Sequence, residues 1–103
     1  MLVYLSAPMS GVSDLNRELF ARHEKMLLSM GHEVVNPCVY EDEGWAECIA
    51  RDILLLKDCD AILLISPHWR RSTGCKIEVL VAYYLNIPVY TDIRSFERHP
   101  LAT

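Results

Sequence analysis

Apolar residues along the chain alternate between short continuous runs and longer stretches at helical spacing. Leu2-Val-Tyr-Leu-Ser6 is nearly continuous and closes on Ala7-Pro8, the pattern of a buried parallel strand. After Met9-Ser10-Gly11, apolar positions recur through Leu15, Phe20, Met26, Leu27 and Met30 and stop at Gly31. With Ser13 or Asp14 as N-cap, this spacing predicts a helix of about five turns. His32-Glu-Val-Val-Asn-Pro37 reads as a second strand ended by proline, and Cys38 to Gly44 as an exposed loop. Trp45 to Lys57 turns helical again, and Asp60-Ala-Ile-Leu-Leu-Ile-Ser66 is the clearest strand in the chain. A loop from Pro67 to Thr73, a helix from Gly74 to Asn86 and a strand from Pro88 to Asp92 follow.

Strands alternating with helices through short loops require right-handed crossovers and a parallel sheet covered on both faces. The predicted fold is α/β: a small flavodoxin-like or Rossmann-like three-layer sandwich, with four parallel strands in the order 2-1-3-4. Residues 1–92 form one domain in this reading, and 93–103 a turn and a loosely held tail. Ligands of such sheets sit at the carboxyl ends of the strands where the order reverses. That places a site beside the loops Ser6 to Ser13 and Ser66 to Gly74.

Composition narrows the function classes. A chain of 103 residues with 51% hydrophobic side chains can bury one core. The net charge is −4 and the only basic pair that stands out is Arg70-Arg71, so the footprint of a nucleic-acid-binding surface is missing. The opening residues resemble no export leader, and no apolar run approaches the roughly 18 residues needed to span a bilayer. The expectation is a soluble cytoplasmic protein with no membrane partner. Cys38, Cys48, Cys59 and Cys75 form no Cys-x-x-Cys pair and read as reduced packing residues, and no metal site is expected.

Three features are candidates for chemistry. Trp45, Cys48, Ile49, Asp52 and Leu56 share one helical face, so Asp52 lies on an apolar stripe. A carboxylate there must find donors or a ligand; pairing with Arg51 or Arg17 is the plain structural alternative. Glu78 falls near the start of the third helix, where free amides and the helix dipole favour its ionised form, as either a nucleophile or a simple dipole partner. The loop Ala7-Pro-Met-Ser-Gly11 offers backbone amides and the Ser6 and Ser10 hydroxyls, an arrangement suited to phosphate or to an ordinary turn. Neither a dinucleotide fingerprint nor a P-loop is present.

Taken together, Tyr4-Leu-Ser-Ala-Pro-Met-Ser-Gly11, Asn16, Phe20, Gly31-His32, Asn36-Pro37, Asp52, Cys59-Asp60 and Trp69-x-x-Ser72-x-Gly74-x-x-x-Glu78, with Ala82 and Pro88-Val89, resemble the nucleoside 2-deoxyribosyltransferase superfamily. The likeness is strongest to a short phage and bacterial branch catalogued only as a domain of unknown function. By that resemblance Glu78 is the nucleophile that attacks the anomeric carbon, Tyr4 hydrogen-bonds it, and Asp52 assists departure of the base. Ser6, Pro8, Met9, Ser10, Gly11, Trp69, Ser72 and Gly74 are the implied substrate-binding residues. Transferases acting on free nucleosides carry an aspartate six residues before the nucleophile, whereas the related deoxynucleoside 5'-monophosphate N-glycosidases carry a serine, as Ser72 is here. Lys76 and Leu80 depart from the family, replacing glycines near the nucleophile.

The implied function is hydrolysis or base transfer at the N-glycosidic bond of a (deoxy)nucleoside 5'-monophosphate or nucleoside, without cofactor. The chemistry suits a carboxylate, because an oxocarbenium-like transition state needs negative charge opposite the departing base. A nucleotide-sensing module with the same pocket and a purely structural role are the alternatives. The apolar segment Val79 to Leu85 is a candidate dimer face, so the expected assembly is a homodimer or higher homo-oligomer.

Overall fold

The computed structural model describes residues 1–9, 16–37 and 45–98. In chain order these form β1 (Leu2–Ser6), α1 (Arg17–Ser29), β2 (Glu33–Val35), α2 (Trp45–Leu56), β3 (Ala61–Leu64), a 3-10 turn (Trp69–Arg71), α3 (Thr73–Tyr84), β4 (Val89–Tyr90) and α4 (Ile93–Arg98). Every strand pairing is parallel and the order is β2-β1-β3-β4, as the alternation of runs predicts. Ser6 at the end of β1 lies in register with Leu64 at the end of β3, so the two strand tips finish level.

Handedness decides which helix covers which face. The step from β1 to β2 runs one way across the sheet, while the steps from β2 to β3 and from β3 to β4 run the other way. Right-handed crossovers therefore put α1 on one face and α2 with α3 on the opposite face. Two buried clusters match this division. Val3, Leu5, Ala61 and Leu63 pack with Phe20 and Leu27 of α1. Tyr4 and Ile62 pack with Leu56 of α2 and Ala82 of α3. Successive β1 residues thus serve opposite faces, and Tyr4 and Ser6 share the α2–α3 side.

Element boundaries differ from the sequence reading in three informative places. Helix α1 has 13 residues, fewer than about five turns, and begins after Asn16, which holds the left-handed conformation with φ 59°. The Asn16 side-chain Nδ2 donates to the Pro8 carbonyl at 2.5 Å, tying the helix start to the chain that leaves β1. The expected caps Ser13 and Asp14 lie outside the described residues. Helix α3 starts at Thr73, one residue earlier than expected, because the Ser72 hydroxyl accepts from the Cys75 amide at 3.2 Å and caps it.

The third difference is a correction. Of the residues read as a turn and loose tail, 93–98 form α4, where the Asp92 carboxylate accepts from the Ser95 amide at 2.7 Å, and the rest lie outside the described residues. Phe96 is 2% exposed and stands edge-on to His32 and Tyr90, with ring centroids 5.2 and 5.3 Å away. A single deep anchor on a six-residue helix leaves little periodicity to read. Phe96→Ala should destabilise the fold by about 3 kcal/mol in equilibrium denaturation, as expected for emptying a buried aromatic site. A loss below about 1 kcal/mol would return this segment to the status of a loose tail.

Candidate functional site

Strand alternation and helix periodicity bring the key side chains together. Tyr4 and Ser6 point from β1 toward α3, which turns Cys75, Glu78 and Ala82 inward at i, i+3, i+7 spacing. The Tyr4 hydroxyl donates to Oε2 of Glu78, and the Ser6 hydroxyl donates to Oε1 at 2.7 Å. All three residues are buried, Glu78 at 6% exposure. The carboxylate therefore sits at the carboxyl end of β1, beside β3, where the strand order reverses.

Around this pair lies a second layer of polar groups. Burial pushes the Cys75 thiol up, and the Ser6 and Ser72 hydroxyls close to it oppose the rise, so the thiol lies between the capped start of α3 and the floor of the site. Asp52 on α2 is 2% exposed and receives the Arg51 guanidinium at 3.1 Å. The ion pair foreseen as an alternative for Asp52 is therefore present. Its charge nevertheless reaches Glu78 and Tyr4, raising the pKa of both.

Burial pushes the Glu78 carboxyl up to about 7, the Asp52 charge adds to the rise, and the Tyr4 and Ser6 hydrogen bonds oppose it. Burial and the Glu78 charge hold the Tyr4 phenol far above its ordinary value, so it stays a neutral donor. This corrects the expectation that free amides and the helix dipole ionise Glu78. With α3 beginning at Thr73, Glu78 is its sixth residue, beyond the first turn where both effects act. Desolvation governs its protonation.

The family model for a domain of unknown function (DUF4406) matches residues 1–91. The chain belongs to this family. The DUF4406 fold is similar to that of a solved 2-deoxyribosyltransferase from the psychrotolerant bacterium Bacillus psychrosaccharolyticus, described as a biocatalyst for nucleoside synthesis. The TM-score is 0.66 and the identity 22%, over 86% of this chain and 69% of that one. At this identity the likeness is one of fold. No curated protein matches the sequence.

Of the remaining expected site residues of this DUF4406 chain, those described lie after β1, after β3 or in the first turn of α3. Pro8 and Met9 are partly buried after β1, whereas Ser10 and Gly11 lie outside the described residues. Trp69, on the 3-10 turn after β3, carries the Arg70 guanidinium 4.9 Å from its ring. Gly74 has an ordinary φ, and a Cβ there would meet the tip of Ile49 of α2 at 3.4 Å, about van der Waals contact, so it packs against α2 without supplying backbone freedom. Lys76 and Leu80 are exposed on the outer side of α3, about 200° from Glu78, and do not crowd it. The sequence reading took Cys75 as a packing residue alone; the fold sets its buried thiol close to Ser6 and Ser72.

Among the described residues, no group of three His, Cys, Asp or Glu side chains is placed to hold a metal ion, and no helix is long and apolar enough to cross a membrane.

Glu78 binds its proton more tightly folded than unfolded, so stability should fall as pH rises from about 4.5 to about 7 and then level off. Glu78→Gln removes this penalty while keeping an acceptor for Tyr4 and a donor for Ser6. In denaturation curves the variant should be more stable than the parent at pH 8, by roughly 3 kcal/mol at most, and similar near pH 4. Equal stabilities at both pH values would show that the carboxyl is not held near 7.

Proposed function

We propose that the protein cleaves the N-glycosidic bond of a (deoxy)nucleoside 5'-monophosphate, with Glu78 as nucleophile and water or a second base as acceptor. The observation that carries this reading is the buried Glu78 carboxylate, held on both oxygens by Tyr4 and Ser6 beside the anionic Asp52. A dry, oriented carboxylate is poorly solvated and therefore nucleophilic, and each oxygen retains a lone pair for attack. The similar fold of a 2-deoxyribosyltransferase supports the same chemistry.

In this mechanism a Glu78 oxygen bonds to the anomeric carbon as the carbon–nitrogen bond breaks. The bonding electrons leave with the base, whose nitrogen takes up a proton from a water molecule that the Asp52 carboxylate organises. Water or another base then displaces the sugar from the ester, restoring the carboxylate with net retention. Tyr4 stays neutral throughout and stabilises the carboxylate leaving in the second step. Because the Ser6 hydroxyl is engaged with Glu78, the phosphate falls to Ser72, Ser10 and Gly11, with Arg70 or Arg71 nearby in the chain.

Incubation with a panel of nucleotides and nucleosides, followed by chromatography, should reveal free base. The value of kcat/KM should rise about tenfold per pH unit on the acid side and level above about 7, since only ionised Glu78 attacks. Glu78→Ala should bind nucleotide but release none of the base. An active Glu78→Ala variant would remove the covalent mechanism; nucleotide binding without base release by the parent would leave a sensing module.

Ser72→Asp provides a separate test of substrate class. Aspartate also caps helices, so α3 should remain intact. Its negative charge should shift preference from monophosphates toward free nucleosides by about tenfold or more, on the order of 1 to 3 kcal/mol. Equal loss toward both substrates would exclude a phosphate near Ser72.

A further inference from the structure

Helices α2 and α3 both run against the strands and so lie parallel to each other on one face of the sheet. They approach near their starts, where a Cβ on Gly74 would stand 3.4 Å from the Ile49 side chain. About one turn further along each helix come Asp52, three residues after Ile49, and Glu78, four after Gly74. The contact thus brings two carboxyl groups level, both buried. The Asp52 charge is felt at Glu78 and at Tyr4, raising the pKa of each.

Different chemistry holds the two groups. Glu78 accepts from the neutral hydroxyls of Tyr4 and Ser6. Asp52 accepts from the Arg51 guanidinium at 3.1 Å. Adjacent residues on a helix diverge by about 100° and do not face one another, so Arg51 reaches Asp52 only by folding its side chain back along α2. The two side chains are 18% and 3% exposed, so the pair lies largely out of water. A guanidinium in contact favours the charged carboxylate more strongly than neutral hydroxyls do.

The other titratable groups around the pair keep their protons at neutral pH. Burial and the Glu78 charge hold the Tyr4 phenol far above its ordinary value, and burial pushes the Cys75 thiol up. Cys59, which packs with Tyr4, is pushed up to about 11 by its burial. Among the described groups that act on Glu78, Asp52 is therefore the one that competes with it for a proton near neutral pH.

We propose that Arg51 is a positioning residue whose guanidinium keeps the negative charge of this pair on Asp52 and leaves the proton on Glu78. With the cation gone, the two hydroxyls make Glu78 the better home for the charge, and the proton passes to Asp52. The consequence for catalysis rests on Glu78 as the nucleophile: Arg51 then sets the pH at which Glu78 becomes able to attack and keeps Asp52 charged to organise water beside the base.

Carbon-13 NMR of protein labelled at the aspartate and glutamate carboxyl carbons reads both groups without substrate, with Asp52→Asn and Glu78→Gln assigning their signals. In the parent, Glu78 should titrate with a midpoint of about 7, while Asp52 gives the signal of a carboxylate throughout that transition. Arg51→Gln should lower the Glu78 midpoint by about one unit or more and move the Asp52 signal toward its protonated position. Arg51→Lys, which keeps a cation, should restore the parent's pattern. Asp52→Asn, which keeps the shape but removes the competing charge, should also lower the Glu78 midpoint, by about half a unit or more, and serves if Arg51→Gln does not fold. An unchanged Glu78 midpoint in Arg51→Gln or in Asp52→Asn, or a parent whose proton resides on Asp52, would overturn the inference. These shifts in a protein that releases no base would remove the nucleophile and leave the proton placement standing.

Discussion

Burial of one carboxyl group organises this structure. Glu78 is removed from water on the inner side of α3, and an unpartnered carboxylate there would cost several kcal/mol. Tyr4 and Ser6 each supply a donor, and both depend on β1 presenting alternate residues to the α2–α3 side. The rotation of α3 about its axis is thereby coupled to the pleat of the sheet. Ser72 reinforces the coupling by capping α3 through the Cys75 amide, with the Cys75 thiol close to both Ser6 and Ser72. Displacing α3 by one residue would turn Glu78 by about 100° and abandon all of these contacts together.

The compensation is incomplete. Two strong hydrogen bonds favour the charged form, yet desolvation and the nearby Asp52 charge outweigh them and leave the carboxyl near 7. Buried ionisable groups held between acid and base at neutral pH are costly to stability and occur often at functional sites. The inward polar cluster is thus better explained by chemistry than by its contribution to the fold. An apolar residue at position 78 would avoid desolvating a carboxylate, but would leave the buried Tyr4 and Ser6 hydroxyls without their acceptor.

Strand order and the α2 stripe were legible because each rests on periodicity spread over many residues. Five consecutive apolar positions marked the interior of β3, and Asp52 stood out because it interrupted an otherwise apolar face. Short-range features were less legible. Asn16 is a favoured cap residue, yet it holds a left-handed conformation and spends its side chain on the Pro8 carbonyl instead of capping α1. Phe96 anchors a helix too short to have a pattern. The environment of Glu78 was misread because even from Gly74 it is the fifth residue, past the first turn, and its burial against β1 is set by the folded sheet. The hydroxyl of Ser6 read as a phosphate ligand, but only the folded sheet brings it to Glu78, 72 positions away in sequence.

Helix α3 must satisfy two demands with one 3.6-residue repeat. Its inward residues, Cys75, Glu78 and Ala82, are small or polar enough to let the helix approach the strand tips, and this closeness is what dries the carboxylate. Its outward residues, Lys76 and Leu80, stand two positions from Glu78 and so face away from it by geometry. Substitutions on the outer side therefore cannot alter Glu78 by contact; they reach it only by shifting the helix. Because packed interiors resist such shifts, the two sides of α3 can vary almost independently. The Lys76 and Leu80 departures from the family pattern are for this reason compatible with an intact carboxylate site, whereas a change at Ser6 or Cys75 would be felt at Glu78 directly.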